Sequence, residues 1–123
     1  MATTESIENY LETILVLSKQ LPVVRSVDIA TDLGFKKSSI SVAMRNLREK
    51  GFITVTEAGY IYLTDTGREI AETIYERHEF FSDWLIQLGV PEETAIRDAC
   101  KIEHNLSPES FHAIKEYVSG KDK

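Results

Sequence analysis

Cysteine is nearly absent from this sequence: Cys100 stands alone in 123 residues, and prolines number only three. A lone cysteine excludes an intramolecular disulfide and suits a reducing compartment, where a thiol stays available to metal. Long apolar runs are missing as well. None approaches the roughly 20 residues that span a bilayer, and Met1-Ala2-Thr3-Thr4-Glu5 lacks a basic region followed by an apolar stretch. The expectation is a cytoplasmic chain with no membrane partner. Internal repeats, low-complexity runs and interior linkers are absent too. Length then predicts one domain, or one small domain with an appendage, able to bury a core without staples.

Net positive charge is also lacking. The formal charge of −6 disfavours nucleic-acid binding, whose affinity comes mainly from neutralising phosphates. The distribution of that charge reverses the inference. Residues 22–68 carry seven Lys and Arg against five Asp and Glu, a net of +2, which leaves −8 for the flanking segments. Within this middle segment Lys36, Lys37, Arg45, Arg48 and Lys50 are clustered.

Apolar residues Ile7, Leu11, Ile14, Leu15 and Val16 follow helical spacing from Thr4 to Leu21, with Thr3 or Thr4 as cap and Pro22 as stop. Asn9 and Glu12 share a different face of that helix. Ser26 is placed to cap a short helix, Val27 to Leu33, which Gly34 ends. A second helix begins at Lys37 or Ser38 and runs to Lys50, closed by Gly51, with Ile40, Met44 and Leu47 facing inward. Two short helices joined by a few residues containing glycine form a helix-turn-helix pattern, whose second helix lies in the DNA major groove. The β-rich runs Phe52 to Thr56 and Tyr60 to Leu63 around Glu57-Ala58-Gly59 predict a hairpin, and so a winged arrangement.

Thr64 then caps a long helix from Gly67 or Arg68 to Leu88, ended by Gly89. Its Ile70, Ile74, Phe80, Phe81, Trp84, Leu85 and Leu88 exceed what one small core requires, so part of this surface is expected to face a second subunit. Another helix starts at Val90-Pro91, and Ser107-Pro108-Glu109 opens a last one ending near Val118. The tail Ser119 to Lys123 is expected to be disordered.

The stretch Cys100-Lys101-Ile102-Glu103-His104 carries the chemistry. If it is helical, offsets of three and four put the thiol, the carboxylate and the imidazole on one face, within reach of a single point. That mixed set suits a divalent transition metal better than magnesium or calcium, which prefer oxygen alone. Three ligands do not close a site, so others must come from elsewhere in the chain.

These residues resemble the metal-dependent repressors typified by the diphtheria toxin repressor and the manganese transport regulator. The resemblance runs from Ile7-Glu8-Asn9-Tyr10-Leu11-Glu12-Thr13-Ile14 through Asp28-Ile29-Ala30, Leu63-Thr64-Asp65-Thr66-Gly67 and Arg77-His78-Glu79 to Ala99-Cys100-Lys101-Ile102-Glu103-His104-Asn105-Leu106-Ser107. It implies a mainly α protein. Residues 1–66 would form a winged helix-turn-helix domain, its first helix shared with the metal site, and 67–123 an all-helical dimerisation and metal-binding domain. The form is the short one, without the Src-homology-3-like domain of longer members. Ligand positions fall on Asn9, Glu12, His78, Cys100, Glu103 and His104. Cysteine at position 100 matches the toxin-repressor branch, while Glu12 matches the manganese branch, and Asn9 replaces an expected aspartate or methionine.

The implied function is a homodimeric repressor of metal-homeostasis genes that binds a double-stranded operator when Fe(II), or alternatively Mn(II), is bound. On the second helix of the DNA-binding pair, Lys37, Ser39, Ser41 and Arg48 are assigned to phosphates. Ser38, Val42 and Arg45 are assigned to base edges. Competing readings are a winged-helix regulator of another ligand, a structural zinc site, and a thiol enzyme using Cys100 and His104. The enzyme reading lacks a Gly-rich turn and a third orienting group beside the cysteine.

Overall fold

The computed structural model describes residues 4–121. Its elements are α1 (Thr4–Gln20), α2 (Ser26–Leu33), α3 (Lys37–Glu49), β1 (Ile53–Val55), β2 (Ile61–Leu63), α4 (Asp65–Gln87), α5 (Glu92–Ile102) and α6 (Pro108–Lys121). Among the described residues no helix is long and apolar enough to cross a membrane. The chain divides into two compact units, Met1–Thr73 and Ile74–Lys123, and the division lies inside α4.

The core of the first unit is aliphatic. Leu11 and Ile14 from α1, Ile29 from α2, Ile40 and Leu47 from α3 and Ile53 from β1 are all fully buried. Each such side chain stabilises the fold by about 1.5–3 kcal/mol, which is how so small a unit dispenses with a disulfide. Helix α2 stops where expected. Gly34 adopts φ 70°, and its N–H reaches back to the carbonyl of Ala30, an αL arrangement that favours glycine. Its start differs from expectation by one position. Arg25, extended at φ −126°, is the N-cap, because Asp28 accepts the Arg25 N–H at 2.9 Å and this fixes the turn ahead of Ser26. The α1 cap would fall on Thr3, outside the described residues.

Strands β1 and β2 pair antiparallel with Ile53 opposite Leu63, Thr54 opposite Tyr62 and Val55 opposite Ile61. In the turn, the Thr56 hydroxyl accepts from the Tyr60 N–H at 3.0 Å, and Gly59 takes φ 87°. The wing is tied down by the Ile61 N–H, which donates to Val24 at 2.8 Å. Thr64 is the cap of α4: its hydroxyl accepts from the Gly67 N–H at 3.1 Å and donates to the Gly51 carbonyl at 2.7 Å. The helix therefore starts at Asp65, two residues before the expected position. Gly67 packs directly on the backbone of Phe52, where an added Cβ would run into the Phe52 carbonyl oxygen.

The core of the second unit is aromatic. Phe81, Ala99 and Phe111 are buried together, with Phe80, Trp84, Ile102, Leu106 and Ile114 packed around them. The rings of Phe80 and Phe111 meet edge to face at 5.6 Å, a favoured quadrupole geometry. Pro91 precedes α5, and Glu92 and Glu93 occupy its first turn, where acidic side chains complement the helix dipole. The Ser107 hydroxyl accepts from Ser110 at 3.1 Å and caps α6. That helix continues through Lys121, which corrects the expected disorder of residues 119–121. Gly120 costs about 1 kcal/mol relative to alanine in a helix, and the preceding turns, anchored by Ile114, sustain one more. Residues 122 and 123 lie outside the described chain.

Candidate metal centre and DNA-reading face

Glu103 is the unusual member of the second unit's interior. It is 0% exposed, ranking with Leu11 and Ile14 among the most deeply buried large side chains. An isolated carboxylate in such a place is strongly disfavoured, so its surroundings must supply positive charge. One oxygen, Oε2, lies 2.9 Å from Nδ1 of His78. The other, Oε1, is buried without a hydrogen-bond partner. His104 Nε2 stands 3.2 Å from that oxygen.

His78 Nδ1 also faces Sγ of Cys100, at 3.8 Å. The imidazole from α4, the thiol from the last turn of α5 and the Glu103 carboxylate thus present donor atoms that all lie within 4.8 Å of one another. The hydrogen bond to Cys100, then that to Glu103, outweigh burial and push the His78 pKa up from 6.5 to about 10. Nitrogen, sulfur and oxygen thus stand together at Nδ1. These are the donors that a divalent transition metal takes in competition with protons. The orphaned Oε1 and the mixed N, S, O set both fit a metal.

One geometric expectation is corrected. Cys100, Glu103 and His104 do not lie on one continuous helix: α5 ends at Ile102, and Glu103 is its C-cap at φ −59° and ψ −24°. Asn105 caps the last turn, its Nδ2 donating to the Lys101 carbonyl at 2.6 Å, and Arg77 Nη1 donates to the carbonyls of Glu103 at 3.1 Å and Leu106 at 2.8 Å. His104 then sits in the turn, with its side chain 1% exposed. It meets the far oxygen of Glu103 and is not one of the three convergent donors. Asn9 is exposed and Glu12 half-buried on α1, in the first unit.

Arg77 escaped attention in the sequence, although a signal existed. It stands between Ile74 and Phe81 at helical spacing, a charged residue on an apolar stripe, and in the structure it is buried at 6% exposure.

On the first unit, α3 buries Ile40, Ala43, Met44 and Leu47. Lys37, Ser38, Ser39, Ser41, Val42, Arg45 and Arg48 are all exposed. Beside them a shallow cleft of about 290 Å³ is lined by Ser26, Ser41, Met44, Arg45, Arg48 and Val55. It adds the start of α2 and the wing to the face presented by α3. Helix-turn-helix, wing and a basic face define a DNA-binding protein, and the second unit adds a metal-binding donor set.

Residues 2–59 match the family description "Iron dependent repressor, N-terminal DNA binding domain", and residues 64–121 match "Iron dependent repressor, metal binding and dimerisation domain". The transcriptional regulator MntR of Escherichia coli O157:H7 is 32% identical over 114 residues, covering 93% of this chain and 74% of that one. A helix-turn-helix regulator of Methanocaldococcus jannaschii is 32% identical over 117 residues, covering 94% of each. A solved manganese-dependent transcriptional repressor in complex with manganese superposes with a TM-score of 0.82 at 25% identity, over 92% of this chain and 52% of that one. The chain spans about half the length of that solved protein. It belongs to the iron-dependent repressor family, whose members are metal-dependent DNA-binding transcriptional regulators, not enzymes.

Proposed function

We propose that this chain is a homodimeric, cytoplasmic repressor of metal-homeostasis genes, activated by Fe(II), with Mn(II) as the alternative. The observation that carries the reading is the convergence of His78, Cys100 and Glu103. DNA binding is assigned to residues 1–66, and dimerisation and metal binding to 67–123. The preference for Fe(II) rests on the thiolate, which is softer than a carboxylate. The kinship with manganese regulators supports Mn(II).

Bound metal would supply a divalent charge that replaces the proton on His78. Cys100 and Glu103 would hold it with the imidazole. Family resemblance adds His104 from the turn, and Asn9 and Glu12 as donors from α1. Such an ion shifts the population toward the DNA-competent state only by binding that state more tightly. In that state two recognition helices must sit about 34 Å apart, one DNA turn. Lys37, Ser39, Ser41 and Arg48 would then hold phosphates, while Ser38, Val42 and Arg45 approach bases. The exposed Ile86, Leu88 and Ile96 support burial against a second subunit, since apolar patches mark interaction sites.

Operator binding with saturating metal and then with excess chelator tests the proposal. Loss of binding on chelation is expected, and unchanged affinity would refute the corepressor role.

A further inference from the structure

The donor atoms of the metal centre come from two elements, His78 from α4 and Cys100 and Glu103 from the end of α5. Arg77 touches both. Its backbone adjoins His78, and its Nη1 holds the carbonyls of Glu103 and Leu106 at 3.1 and 2.8 Å. The guanidinium is itself held, with its central carbon 5.3 Å from the centroid of the Phe111 ring, a cation–π arrangement. Phe111 belongs to the buried aromatic cluster. The guanidinium is therefore held both by the two carbonyls, through Nη1, and by the ring.

We propose that Arg77 is a positioning residue of the metal centre. By holding the carbonyls of Glu103 and Leu106 it ties the end of α5 to α4, and this fixes the backbone from which the Glu103 carboxylate reaches His78 and Cys100. Glu103 keeps helical dihedrals and its N–H still reaches the Ala99 carbonyl, so what Arg77 adds is a fixed anchor for that backbone against α4. Arg77 coordinates no metal itself. It acts through Glu103, as the groups that orient ligands do in other metal sites. The inference deepens the metal reading proposed above and rests on it.

Co(II) titration of the full chain reads the geometry directly, because thiolate-to-cobalt charge transfer and the visible d–d bands report ligand identity and angle. In the unaltered chain a charge-transfer band that disappears in Cys100→Ala is expected. Arg77→Gln keeps one donor group and loses the charge and the cation–π contact. It is expected to weaken Co(II) binding about 10- to 100-fold and to alter the d–d bands. Arg77→Lys, which keeps the charge as a single point donor, is expected to lie between the two. Phe81→Leu loosens the same aromatic cluster and serves as the stability control; its d–d bands should match those of the unaltered chain.

An unaltered spectrum and affinity in Arg77→Gln would overturn the inference, as would a loss that Phe81→Leu reproduces in both affinity and band shape. Should Arg77→Gln fail to fold, Arg77→Lys decides, and unchanged bands and affinity there overturn the inference equally. Absence of the charge-transfer band in the unaltered chain would sink the metal reading and this inference together. A band that Arg77→Gln leaves as it was sinks the inference alone.

Discussion

Nδ1 of His78 lies 2.9 Å from Oε2 of Glu103, a carboxylate with no solvent exposure. At the proposed centre this pairing would set a proton against a metal. The buried carboxylate needs a positive partner, and His78, with its pKa raised to about 10 chiefly by Cys100 and then by Glu103, supplies it.

A metal at the proposed centre would therefore have to displace the His78 proton at neutral pH. Because the folded pKa is raised above the ordinary 6.5, the charged ring stabilises the metal-free protein fully below 6.5, and that contribution is lost as pH rises through about 10. Metal affinity should run the opposite way, rising about tenfold per pH unit through neutrality for the His78 proton alone. Co(II) affinity measured across the neutral range checks this, together with proton release in buffers of different ionisation enthalpy. A flat profile would show that the ring is already neutral before metal arrives.

Cys100→Glu replaces the soft donor by a hard one at a position already facing His78. Relative activation by Mn(II) over Fe(II) should increase. Anaerobic competition between the two metals, read by DNA binding, measures it. An unchanged ratio would mean that Cys100 does not set metal preference.

Gly67→Ala sets two effects against each other. Alanine gains about 1 kcal/mol of helix propensity over glycine, whereas forcing a methyl into a packed site costs about 1–3 kcal/mol or more. Here the obstruction is the Phe52 carbonyl, backbone that cannot turn aside, so the clash wins. Thermal unfolding should show a lowered Tm; a raised one would mean that α4 and the start of the wing separate freely.

On the DNA face, Lys37 and Arg45 are both exposed on α3 but are assigned different tasks. Lys37→Ala should weaken binding to all sequences alike and reduce the slope of affinity against salt by about one. Arg45→Ala should cost about 1–3 kcal/mol on the preferred operator and relax its sequence preference. Anisotropy titrations on preferred and scrambled duplexes at several salt concentrations separate them, and identical behaviour of the two variants would cancel the assignment.

Much of this was readable from local chemistry. Gly34 ends α2 because the αL position needs no Cβ, Thr64 caps α4 because its hydroxyl follows the wing and precedes the periodic run, and the inner face of α3 follows from the spacing of Ile40, Met44 and Leu47. The end of α5 was partly readable, because Asn105, whose Nδ2 donates to the Lys101 carbonyl at 2.6 Å, is a residue type that ends helices. The part that was not readable is Arg77, distant in sequence, which claims the Glu103 carbonyl. His104, expected beside Cys100 on one helix, lies in the turn and meets the far oxygen of Glu103. Spacing predicts which side chains share a face only as long as the helix continues.

The most direct test of the account is operator affinity with and without metal, measured on a duplex selected from a random pool and repeated with His78→Ala and Glu103→Gln. Fe(II) or Mn(II) should tighten binding by the unaltered chain about 5- to 150-fold, the usual range of coupling between two sites, and chelator should reverse it. Both variants should bind as the chelated protein does, whatever metal is added. Metal-independent affinity in the unaltered chain, or full metal response in both variants, would contradict the account.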